Sequence, residues 1–156
     1  YPSAVFTAAD TSADHNPLWA HPADCAFPCA TQNEINVVDA NNLVKGGVKL
    51  LAEGANMPTT SPAITILLNN GVMYAPGKAS NAGGVATSGL EMVQNYNGMY
   101  WTRDEVDAKL KDIMKDIHDT CLRAAKEYGM DGNYQAGANI AGFQKVAEAM
   151  LAQGVI

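Results

Sequence analysis

Three short stretches of this 156-residue chain gather amides, hydroxyls and small residues. They are Cys29-Ala30-Thr31-Gln32-Asn33, Glu53-Gly54-Ala55-Asn56 and Gly77-Lys78-Ala79-Ser80-Asn81-Ala82-Gly83-Gly84. Side-chain amides and hydroxyls both donate and accept hydrogen bonds. Such loops suit the binding of a carboxamide, a ribose or a carboxylate better than they suit proton transfer. Some of these residues also have a purely architectural reading. Thr31 with Glu34, and Ser88 with Glu91, stand at the spacing by which a hydroxyl and a carboxylate cap a helix start. Gly54 and Gly83-Gly84 suit tight turns.

Covalent and acid–base chemistry find little support. Cys29 has no histidine placed to activate it, so it reads as a structural thiol. His15, His21 and His118 form neither a ligand nor a triad spacing, and His118 reads as structural or exposed. Cys25 and Cys29 lack a second Cys/His pair for zinc, so no metal is expected. The stretch Gly83 to Gly89 has neither the Gly-Lys-Ser/Thr ending nor the Gly-x-Gly-x-x-Gly order of a phosphate loop. Lys78 is placed to attract an anion, although a single loop lysine is commonly a solvated charge.

Binding loops need elements that hold them together, and open parallel sheets present theirs at the carboxyl ends of the strands. Runs with the composition of buried strands lie at 24–29, 48–52 and 72–75, and their starts are 24 residues apart. A short helix is expected over 39–44, stopped by Gly46-Gly47, and another over 62–68, capped by Ser61, opened by Pro62 and stopped at Gly71. This is a βαβαβ segment of a parallel sheet with right-handed crossovers. Thr102-x-x-Glu105 then opens a long helix to Tyr128, with Val106, Leu110, Ile113, Ile117, Cys121 and Ala124 on one stripe. A last helix over 140–151 would place Ile140, Phe143, Ala147 and Met150 on one side. A short strand is expected at 4–7, followed by loop.

Composition narrows the field. Ten basic against 16 acidic residues give a net charge of −6 and a pI near 4.8, which disfavours nucleic acid as a partner. No apolar run approaches the roughly 18 residues that span a bilayer, and the stretch from Tyr1-Pro2-Ser3 has neither the basic nor the apolar region expected of a signal peptide. The odd cysteine count favours a reducing, cytoplasmic setting. The chain starts at Tyr1 rather than Met, as a piece of a longer protein would.

Taken together the loops resemble the hexameric glutamate dehydrogenases. The resemblance lies in Pro28-Cys29-Ala30-Thr31-Gln32-Asn33-Glu34, Ala52-Glu53-Gly54-Ala55-Asn56-Met57-Pro58, Ala75 to Val85 and Ser88-Gly89-Leu90-Glu91-Met92. It continues through Trp101, Met114-x-Asp116-Ile117-His118 and Gly137-Ala138-Asn139-Ile140-Ala141-Gly142-Phe143, covering roughly residues 17–156. It implies the C-terminal half of a Rossmann-like sheet over residues 1–97 and a helical segment over 98–156 that packs back on the fold. It also implies reversible oxidative deamination of L-glutamate to 2-oxoglutarate and ammonia, with hydride transfer to NADP or NAD.

By the same resemblance Ala30, Thr31, Gln32, Asn56 and Asn81 would contact the nicotinamide end of the cofactor. Ser88 would bind a carboxylate of glutamate, with Val85 lining the pocket beside it. The family's Gly-rich pyrophosphate turn and its catalytic Lys and Asp have no counterpart here, so the chain alone is expected to be inactive. The sheet should present an open edge at its first strand, favouring self-association. The competing reading is a free-standing nucleotide-binding or assembly module without catalysis, which would bind cofactor by itself.

Overall fold

The computed structural model describes residues 2–10 and 12–154. Three parallel strands, β1 (Cys25–Ala26), β2 (Leu50–Ala52) and β3 (Met73–Ala75), form one sheet in the order β1-β2-β3. Cys25 pairs with Leu50, and Leu50 with Met73. Parallel neighbours require crossovers, supplied by α1 (Val37–Lys45) and α2 (Ser61–Asn69). The α/β class and the βαβαβ order are those expected.

The strands are shorter than the composition suggested, for identifiable reasons. Val48 and Val72 donate their N–H groups to Leu43 and Leu67, closing the ends of the preceding helices before any pairing starts. Pro28 has no N–H for a ladder. Its carbonyl accepts from Gly54 and Ala55 instead, so β1 ends at Ala26 and the chain turns toward the neighbouring loop.

Helix starts follow cap chemistry. Asn36 accepts from Val38 and Asp39, and the Asp39 carboxylate reaches back to the Asn36 N–H, which moves the start of α1 to Val37. Asp39 is 1% exposed and also accepts from Asn16 N at 2.9 Å, tying the N-terminal segment to α1. Ser61 does not cap α2; it is the first helical residue, after Thr60. Gly71 takes a φ of +74° at the end of that helix, a conformation for which glycine has no steric penalty.

After β3 the chain is helical at once, sooner than the loop expected over 77–84 allowed. The stretch read as a third loop becomes the single turn α3 (Gly77–Ser80) and the start of α4 (Ala82–Asn97). Then follow α5 (Arg103–Glu127), with the expected Thr102/Glu105 capping box, and α6 (Tyr134–Gln153), which starts six residues earlier than expected because Asn133 caps it. No strand forms at residues 4–7, a stretch with no sheet neighbour.

Ile35, Leu51, Ala63 and Leu67 are fully buried between sheet and helices, with Trp19, Leu43, Val48, Val72 and Tyr74 around them. Burying one large aliphatic side chain contributes about 1.5–3 kcal/mol. The expected α5 stripe faces inward, with Cys121 and Ala124 buried. The α6 face is corrected: Phe143 is 71% exposed and Met150 45%, and the helix meets α5 through Gly137. A Cβ there would collide with the Cys121 carbonyl, so the two backbones approach closer than any larger residue permits.

Candidate functional site

The loops that follow the three strands meet at one end of the sheet. Those after β1 and β2 are joined backbone to backbone: Asn33 N donates to Met57 O, Ile35 N to Pro58 O and Thr60 N to Ile35 O, at 2.8–3.0 Å. Two non-glycine residues, Asn33 (φ 57°) and Met57 (φ 50°), adopt the left-handed region at this joint. Such conformations cost of order 1 kcal/mol or more and persist where surrounding contacts over-determine them. Here those contacts are the paired backbones themselves.

The joint leaves no room for larger residues. A Cβ on Gly54 would overlap Cys29 Sγ, and one on Gly77 would lie 2.7 Å from Ala55 O. Both glycines are therefore needed for close approach between segments. Thr31 does not cap a helix, because residues 30–34 form a turn; the Glu34 carboxylate instead accepts from the Ala30 and Thr31 N–H groups. That leaves the Ala30, Thr31 and Gln32 side chains exposed at the loop surface.

Across the sheet end, Asn81 Nδ2 donates to Asn56 Oδ1 at 2.6 Å and to Ala55 O at 3.2 Å. The two amides expected to lie near one ligand end are in direct contact. Beneath them sits Glu53, 3% exposed, whose Oε2 accepts from Gly77 N at 2.6 Å and whose Oε1 accepts from Thr59 N at 3.2 Å. Ser80 Oγ donates to Glu53 O at 2.6 Å. Burial first, and the adjacent Glu53 carboxylate second, push the Tyr74 phenol pKa up, so Tyr74 stays neutral. Sequence reasoning assigned Glu53 and Ser80 no role. The available signal was a carboxylate directly after a buried strand, since an acidic residue in such a position stays ionised only with partners.

Ser88 and Val85 lie on α4, and Ser88, deep within that helix, caps nothing. With Asn81 they stand at i, i+4 and i+7, one face of the helix. Ser88 is exposed and Val85 is 73% exposed; Ser88 lies about 10 Å along the axis from Asn81. The opposite side of α4 meets α5, where Gly83 faces Met114 and Leu110. The face carrying Asn81, Val85 and Ser88 is thus turned away from α5.

Lys78 reaches Asn139 Oδ1 at 2.5 Å, linking α3 to α6, so it is not a free anion-binding charge. His118 hydrogen-bonds with the Tyr134 hydroxyl at 2.5 Å, a contact between α5 and α6. Cys121 is buried and its thiol pKa is raised by that burial, whereas Cys25 and Cys29 are exposed. Among the described residues no three His, Cys, Asp or Glu side chains gather to hold a metal ion, and no helix is long and apolar enough to cross a membrane.

A parallel sheet whose loops gather exposed amides and hydroxyls at the strand ends is the α/β arrangement in which ligands bind at the carboxyl edge. The chain belongs to the Glutamate/Leucine/Phenylalanine/Valine dehydrogenase family, whose model matches residues 2–154. Within that family its similarity is to glutamate dehydrogenases. The NADP-specific glutamate dehydrogenase of Haemophilus influenzae is 59% identical over 138 residues, which cover 88% of this chain and 31% of that protein. The crystal structure of Plasmodium falciparum glutamate dehydrogenase superimposes with a TM-score of 0.84 at 51% identity, over 88% of this chain and 30% of that one. The hetero-hexameric glutamate dehydrogenase of Thermus thermophilus gives 0.80 at 25% identity, over 88% and 32%. The chain spans about a third of the length of the relatives it matches.

Proposed function

We propose that this chain is the C-terminal, cofactor-side portion of a cytoplasmic glutamate dehydrogenase that interconverts L-glutamate with 2-oxoglutarate and ammonia, using NADP. The observation that carries the reading is the Asn56–Asn81 contact between the ends of β2 and β3, flanked by the exposed Ala30-Thr31-Gln32 loop. NADP, when bound, supplies the hydride acceptor. Asn56, Asn81 and the Ala30-Thr31-Gln32 loop present donors and acceptors that fit a ribose and a carboxamide, and they orient that end of the molecule. Ser88 donates to a carboxylate of glutamate, and Val85 excludes water beside the substrate side chain. The NADP-specific relatives support NADP over NAD.

Residues 1–97 form the partial dinucleotide-binding unit and residues 98–156 a helical segment packed on it, with the break at Gly98 (φ 63°) after α4. The intact enzyme assembles as a homo-oligomer; the hetero-hexameric relative from T. thermophilus supports a count of six subunits, not their identity. The isolated chain lacks acid–base machinery and self-associates through its open β1 edge and the apolar residues beside it, such as Phe27, 59% exposed.

The test is glutamate-dependent reduction of NADP by the full-length enzyme carrying this segment, beside the isolated chain. The full-length enzyme should turn over, and the chain should not, while sedimenting as more than a monomer. Turnover by the isolated chain, or none by the full-length enzyme, would sink the reading.

A further inference from the structure

Glu53 is a charged side chain almost wholly removed from water, which is tolerated only with strong hydrogen-bond partners. Those partners belong to two different segments. Oε2 takes the Gly77 N–H at the start of α3, and Oε1 takes the Thr59 N–H at the far side of the β2 loop. Asn56 lies inside that loop and Asn81 immediately follows α3, so the carboxylate spans the two segments that carry the amide pair. Ser80 repeats the link: its hydroxyl lies within hydrogen-bonding distance of Glu53 O, Ala75 O and Pro76 O. A Cβ on Gly77 would lie 2.7 Å from Ala55 O and 3.1 Å from Glu53 Oε2, so glycine is what lets α3 start this close to the joint.

We infer that Glu53 is a positioning residue for the cofactor end of the site, acting through the joint it makes between the β2 loop and α3 to hold Asn56 against Asn81. This rests on the cofactor-side reading given above. Glu53 touches neither cofactor nor substrate. Its effect falls on cofactor affinity and not on the chemical step or on glutamate, whose Ser88 contact lies two turns along α4.

The test is Glu53→Gln in the full-length enzyme. The amide keeps the shape, but only one of its two ends is an acceptor, so it leaves either the Gly77 or the Thr59 N–H facing another donor. The KM for NADP should rise roughly tenfold, the size of losing one hydrogen bond to a charged group. The kcat should move by less than about threefold, and the KM for glutamate should stay put. A carboxylate that only held the fold would lower the melting temperature and the yield of active enzyme while leaving both KM values unchanged, and that result overturns the proposal.

Should Glu53→Gln not fold, Ser80→Ala loosens the same joint more gently. A rise of about threefold in the NADP KM alone supports the inference, and no change overturns it. If the unsubstituted enzyme fails to reduce NADP with glutamate, the functional reading itself falls. If it succeeds while the variants keep the NADP KM, only the role of Glu53 falls.

Discussion

The sheet half of the molecule and α4 are built on opposite plans. Between Trp19 and Tyr74 the chain closes on itself: apolar side chains from the short helical turn Pro17–Ala20, strands and crossover helices meet in one core, and the loops above it are joined backbone to backbone. The 16-residue helix α4 has no buried residue, and Val85, Met92, Val93 and Tyr96 are all exposed. The first region derives its order from its own contacts. The second is held at its ends, by Asn81 and by Gln94 Oε1 accepting from Trp101 N at 2.7 Å, and along the Gly83 side against α5. The difference teaches that close packing in this chain is concentrated under the amide pair, whereas the α4 face carrying Ser88 is exposed.

Truncation in the two regions should separate them most widely. Leu51→Ala, in the fully buried centre of β2, should cost about 3 kcal/mol of stability in urea titration, the usual range for such cavities being about 2–5. An equal cost for Met92→Ala on α4, 66% exposed, would erase the contrast.

Between these extremes stands the α5–α6 seam, where Gly137→Ala drives a methyl group into the Cys121 carbonyl and should cost about 2 kcal/mol by the same measurement. A neutral result would mean that the helices separate freely. At the start of α5, Thr102→Ala removes one half of a capping box and should cost about 1 kcal/mol, seen as lower helicity or an earlier urea midpoint.

Smallest in stability are Val85→Ala and Ser88→Ala, each expected within about 0.5 kcal/mol of the parent chain because neither side chain is packed. In the full-length enzyme Ser88→Ala should nevertheless raise the KM for glutamate by roughly tenfold. A change in stability without a change in that KM would show Ser88 to be a structural residue after all.

Much of this was legible before any coordinates. The βα rhythm, Gly47 and Gly71 as left-handed stops, and the Thr102/Glu105 box depend on local backbone preference and on the polarity of neighbouring residues, which a short window of sequence contains. Element ends were harder. Pro28 diverted β1 into a loop contact, and Asn36 and Asn133 extended two helices by caps that competed with other plausible starts. The early start of α4, ahead of the Ser88/Glu91 spacing, escaped notice because Gly83 and Gly84 lower helix propensity, and neighbouring α5 supports it where propensity does not.

The sequence by itself determined the class of fold, the three loops and which side chains in them can hydrogen-bond, because residue type sets donor and acceptor capacity and hydrophobic spacing sets the succession of strands and helices. Only the tertiary structure decided that Asn56 and Asn81 touch, that Phe143 faces outward while Gly137 faces in, and that Glu53 is the buried link beneath the amides. The amide contact and the Glu53 link join residues 24 and 25 positions apart at the end of the sheet, the α6 face is set against α5, and close approach of that kind depends on which backbones pack together, a property no local window of sequence contains.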